Sequence, residues 1–128
     1  MNSGFLSLSL ALLLTAAVPA QNEAIIPQLP RPVIVAKELA EKLVRLEADK
    51  LVAHSLNPEK AIDHFLLFFS AGWSPTCKKF TPVLSKFYNE AKASGANFEI
   101  VFVSLDDSEK EMLQYMAEQK MPWPALRF

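Results

Sequence analysis

The chain has 128 residues, about half of them apolar, nine of them phenylalanine, and a formal net charge of −1. That length and composition supply one core and one domain, which excludes a disordered segment and a multidomain arrangement. Acidic and basic residues are mixed along the chain, so no basic stripe points to nucleic acid and no polybasic block to an anionic membrane surface.

Residues 5–18 are almost wholly apolar and uncharged. The run is too short, and too interrupted by Ser7, Ser9 and Thr15, to span a bilayer. Val18-Pro19-Ala20 places small residues where a signal peptidase needs them, before Gln21. Residues 1–20 therefore read as a signal peptide, and the expected location is secreted or periplasmic. Export delivers the chain to an oxidising compartment, where cysteines tend to pair. Cys77 is the single cysteine of the sequence. It is a reactive thiol, an intermolecular bridge or an inert buried residue.

Residues 21–40 read as a linker and N-terminal extension, and 41–128 as the folded domain. Pro27, Pro30 and Pro32 make the first part of the extension extended, and residues 36–42 can form a short helix. Residues 43–46 and 50–53 look like two short strands around a turn at Glu47-Ala48-Asp49. Asn57 followed by Pro58 is a good helix start. Residues 65–70, Phe-Leu-Leu-Phe-Phe-Ser, are apolar on both faces, as in a strand covered on both sides. Residues 98–105 form a second such strand. Between them Cys77, Phe80, Leu84, Phe87, Tyr88 and Ala91 recur at helical spacing, with a stop at Ser94-Gly95-Ala96-Asn97. Strand, helix, strand makes a βαβ unit and an α/β fold. A third helix follows, with Ser108 and Glu111 as a capping box, Asp106 and Asp107 near its N-terminus, and Met112, Leu113, Tyr115 and Met116 as its apolar stripe. Met121-Pro122-Trp123-Pro124 ends it.

The chemistry-bearing segment is Trp73-Ser74-Pro75-Thr76-Cys77, between a buried strand and a helix start. The first turn of a helix carries unpaired N–H groups and partial positive charge, which stabilise a thiolate there. Ser74 also suits the N-cap, with Pro75 at the first helical position. Cys77 reads equally well as a small core residue under the helix start.

Residues 69–82, Phe-Ser-Ala-Gly-Trp-Ser-Pro-Thr-Cys-Lys-Lys-Phe-Thr-Pro, resemble the active-site segment of the tryparedoxin and nucleoredoxin branch of thioredoxin-like proteins. The likeness continues through Phe87-Tyr88, the strand from Phe98, and Met121-Pro122-Trp123, over about residues 43 to 126. The resemblance implies a thioredoxin-like βαβ core with a third helix. It places Cys77 at the resolving-cysteine position, Ser74 where the branch has its attacking cysteine, and Trp73, Pro75 and Thr76 as the wall of the site. It also implies that the chain is truncated at the C-terminus. The family continues into two more strands and a helix, and a cis-proline there faces the cysteine pair. The strand at 65–70, central in the family, then becomes an edge open to strand addition by a protein or peptide partner or by a second copy in a homodimer. Ser74 three residues before Cys77 is similar to the Thr-x-x-Cys of peroxiredoxins, but Ser70 stands where those proteins carry a proline. No cofactor is implied. His54 and His64 are isolated, and a single cysteine makes no zinc set.

The expected function is that of an exported thioredoxin-like domain related to thiol–disulfide oxidoreductases and lacking dithiol reductase activity. One alternative is a monothiol redox enzyme or peroxidase acting through Cys77. The other is a truncated gene product without independent function.

Overall fold

Ala48 and Asp49 have φ angles of 44° and 64°. Two consecutive left-handed residues give a turn whose twist matches that of the strands it joins. That turn closes the first hairpin, β1 (Leu43–Glu47) and β2 (Lys50–His54), which pair antiparallel with Glu47 opposite Lys50. The computed structural model describes residues 31–57 and 61–128. The expected signal peptide and the start of the expected linker lie outside the described residues. So does Pro58, where a helix was expected to begin, and residues 61–63 are not helical.

The remaining elements are α1 (Arg31–Leu39), β3 (His64–Ser70), α2 (Pro75–Ala93), β4 (Phe98–Ser104), α3 (Glu109–Glu118) and a two-residue strand, β5 (Ala125–Leu126). The sheet order is β2-β1-β5-β4-β3. β3 and β4 are parallel across their full length, from His64 opposite Phe98 to Ser70 opposite Ser104. The chain is therefore α/β, with a βαβ core and a third helix, as its periodicities predict. β5 was not legible. It is two residues long and preceded by prolines, so it carries no periodic signal. It is held by the Phe102 N–H on the Pro124 carbonyl at 2.9 Å and by Arg127 N–H on the Lys42 carbonyl at 2.7 Å.

β4 is the centre of the core, with Ile100, Val101 and Phe102 fully buried. On one face Phe102 joins Tyr88, Met112, Tyr115, Met116 and Trp123. On the other Val101 meets Leu43 and Leu56, with Ala36, Leu39 and Phe65 packed alongside. Helix α1 thus belongs to the core. It begins at Arg31 rather than near residue 36, within the stretch read as linker, because Pro32 falls in the first turn, where a missing N–H costs nothing.

Two burial expectations are corrected. β3 is not covered on both sides: it lies at the sheet edge among the described strands, and Leu66, Leu67 and Phe69 are exposed. On α2 the inward stripe is Cys77, Thr81, Leu84, Tyr88 and Ala91, whereas Phe80 and Phe87 are about half exposed. These phenylalanines flank the stripe and lean over its margin, Phe80 toward Phe68 at a ring separation of 6.2 Å and Phe87 toward Phe98 at 5.9 Å. Among the described residues no helix is long and apolar enough to cross a membrane.

Candidate active site

The site is built where β3 hands over to α2. Ser74 is the N-cap, with extended backbone (φ −90°, ψ 115°), and its Oγ accepts the Cys77 N–H at 3.4 Å. Pro75 follows at the start of the helix. The capping role expected of Ser74 is the one it fills. Cys77 is half-buried, packed against the main core, and unpaired as a thiol.

Its sulfur is held by donors. Hydrogen bonds from the Ser70 hydroxyl, then the Ser74 hydroxyl and the Ala71 backbone, lower the Cys77 pKa from its ordinary value, against a smaller opposing effect of burial. The direction follows from the chemistry, because each donor stabilises the charged form more than the neutral one. Ser70 is fully buried and lies 3.0 Å from the Tyr115 hydroxyl. Tyr115 in turn lies 2.7 Å from Thr81 Oγ1, and Thr81 donates to the Cys77 carbonyl at 2.8 Å. A buried run of three hydroxyls, from three different elements, thus begins and ends on one cysteine.

Asp106 fixes the loop that carries the site. Its Oδ1 accepts the Gly72 N–H at 2.7 Å, and its Oδ2 accepts the Ser104 hydroxyl at 2.7 Å. Gly72 passes so close to α3 that a Cβ there would lie 2.9 Å from the Tyr115 Cβ, so the loop needs glycine for close approach. Trp73, beside it, is 68% exposed, and its Nε1 donates to the Leu105 carbonyl at 3.1 Å. Trp73 and Asp106 line an open cleft with Asp107, Glu111, Gln114 and Glu118. Pro75 and Thr76 are exposed at the head of α2.

The structure brings Trp73, Ser74, Pro75, Thr76 and Cys77 together, as contiguity requires. Sequence reasoning missed Ser70, Thr81, Tyr115 and Asp106. Thr81 stands one helical turn after Cys77 and Ser70 ends an apolar strand, so hydroxyls inside otherwise apolar stripes were the available signal. Asp106 was read as a helix-terminal charge; it is instead buried and binds Gly72 across the loop. Among the described residues no group of three or more His, Cys, Asp or Glu side chains could hold a metal.

Replacing Ser74 by alanine removes a helix cap and one donor to the sulfur. The expected cost is about 1 kcal/mol of stability. The midpoint of the iodoacetamide rate against pH should move upward, because a thiolate with fewer donors is harder to form. An unmoved midpoint would show that Ser74 only caps the helix.

The thioredoxin-like family profile matches residues 63–128. Human nucleoredoxin is 40% identical over 90 residues, which is 70% of this chain and 19% of that protein. Tryparedoxin of Trypanosoma brucei brucei is 47% identical over 62 residues, 48% of this chain and 41% of that protein. Among solved structures, tryparedoxin II from C. fasciculata superposes with a TM-score of 0.58 at 35% identity, over 76% of this chain and 61% of that one. The chain thus spans about a fifth of the human relative's length. Family profile, identity and superposition agree with the βαβ core, and the chain belongs to the thioredoxin-like family, in its tryparedoxin and nucleoredoxin branch.

Proposed function

We propose that this chain is an exported thioredoxin-like domain that does not run the two-cysteine exchange of its relatives. The reading rests on Ser74, whose Oγ caps α2 by accepting the Cys77 N–H and which, by the resemblance of residues 69–82, occupies the position of the branch's attacking cysteine. Thiol–disulfide exchange needs a thiolate to open the substrate disulfide and a second thiol to release the mixed disulfide. A serine hydroxyl forms no disulfide, and Cys77 is the single thiol of the sequence, so the two-cysteine cycle cannot be completed. The purified chain should leave the rate of insulin reduction by dithiothreitol unchanged. Acceleration to the rate typical of thioredoxins would sink the proposal. Export is checked separately, by the N-terminal mass of protein recovered from the medium or periplasm: Gln21 is the expected first residue.

A second reading is favoured by the donors gathered on Cys77. Its thiolate attacks the O–O bond of a hydroperoxide, forming a sulfenic acid and releasing alkoxide or hydroxide. One external thiol then condenses with the sulfenic acid to a mixed disulfide and water, and a second external thiol releases Cys77 as the thiol. A dimedone adduct confined to Cys77 after treatment with stoichiometric peroxide supports this route. A thiol that stays unlabelled ends it.

A further inference from the structure

We propose that Tyr115 is a positioning residue that restrains the Cys77 thiol, because its phenol engages the Ser70 hydroxyl that otherwise serves the sulfur. The inference rests on the second reading above, in which Cys77 is the reacting group, and it names what governs that group. Tyr115 is 1% exposed and lies in the middle of the hydroxyl run, 2.7 Å from Thr81 Oγ1 and 3.0 Å from Ser70 Oγ. Ser70, Ser74 and the backbone supply the hydrogen bonds that hold the sulfur, so Tyr115 acts on it through Ser70.

The far end of the run fixes its direction. The Cys77 carbonyl can only accept, so the Thr81 hydroxyl donates to it, at 2.8 Å. Having one proton, Thr81 then accepts from the phenol, and the phenolic oxygen is left as an acceptor for Ser70. Phenol and sulfur thus compete for one serine proton. Ser70 and Thr81 are as deeply buried as Tyr115, so bulk water does not relieve the contest. This gives the role of Tyr115 a sign that packing alone does not have. Removing the phenolic oxygen frees Ser70 for the sulfur, and the thiolate becomes easier to form. A core that is merely loosened scatters the donors, and the thiolate becomes harder to form. Thr81→Val reaches the same end by another route. With no acceptor at position 81, the phenolic proton turns to Ser70, and Ser70 gives its own to the sulfur.

The test is the pH profile of iodoacetamide alkylation on the full chain, with circular dichroism as the check on folding. Tyr115→Phe and Thr81→Val should each lower the midpoint by roughly half to one pH unit, about a three- to tenfold gain in thiolate below the midpoint. Ser70→Ala should raise it. Added to Ser70→Ala, Tyr115→Phe should leave the midpoint where it stands, because the link to the sulfur is gone. A midpoint that rises or stays fixed in Tyr115→Phe would overturn the proposal, as would a downward shift that persists without Ser70. If Tyr115→Phe does not fold, Thr81→Val carries the same sign and decides. Dimedone labelling of each variant after peroxide tests the underlying reading separately. A lowered midpoint on a thiol that stays unlabelled ends that reading and leaves the role of Tyr115 supported.

Discussion

Replacing Trp123 with alanine is expected to cost about 3–5 kcal/mol, the range for deleting a large aromatic from a core. Trp123 is 0% exposed and sits edge-on to Phe68 and Tyr88, at ring separations of 5.9 and 5.5 Å. It therefore ties the edge strand, the long helix and the segment leading into β5 into one cluster. Its indole N–H is buried and finds no hydrogen-bond partner among the described residues, so the side chain stabilises by packing and pays a polar penalty. That predicts an asymmetry between variants: Trp123→Phe keeps a ring, drops the unpaired donor and should cost well under half as much. Urea unfolding measures both. Domains of this size shift by about 4–8 °C per kcal/mol, so Trp123→Ala should also lower the thermal midpoint by roughly 12 °C or more. Equal losses for the two variants would mean that the ring face is not what holds the cluster.

The second large effect falls on Asp106. Asp106→Ala strands the Gly72 N–H and the Ser104 hydroxyl, and hydrogen bonds to a charged group are worth about 1.5–3 kcal/mol each. A loss of about 3–6 kcal/mol is expected from the two together. The consequence reaches the sulfur. Gly72 is two residues from Ser74, so a loosened loop disperses the donors around Cys77, and the pH midpoint of its alkylation should rise toward that of a free cysteine. Asp106→Asn keeps an acceptor for the Gly72 N–H and should recover most of the stability. If Asp106→Ala destabilises the protein but leaves the alkylation midpoint in place, the loop is held by other contacts and Asp106 has only a structural part.

What the sequence revealed divides along the line between periodic and contingent features. The hairpin, the βαβ unit, the Ser108 cap and the Ser74 cap were legible because each is a local pattern: turn residues, apolar spacing, a hydroxyl before a helix. Ser108 does accept the Glu111 N–H, at 3.3 Å. Long-range roles were not legible. Arg45 donates to the Pro122 carbonyl at 2.7 Å across the sheet, and no local signal pairs those two residues. Tyr115 occupies its expected place on the apolar stripe of α3. That the same side chain carries a hydroxyl to Ser70 and Thr81 depends on how α3 docks on α2 and β3. The exposure of Phe80 and Phe87 escaped for a related reason. Helical spacing identifies an apolar arc, but the neighbouring elements decide how much of that arc they cover.

The three hydroxyls around Cys77 have only one proton each, and that count makes them directional. Thr81 gives its proton to the Cys77 carbonyl, so at its contact with Tyr115 it accepts, and the phenolic proton points to Thr81. Tyr115 then has no proton left for Ser70, and at their contact the Ser70 hydroxyl is the donor. A Ser70 hydroxyl that donates to the sulfur has no proton left for Tyr115, so it serves the sulfur or the phenol but not both at once. Stabilising the thiolate therefore competes with the internal pairing of a residue buried in the core.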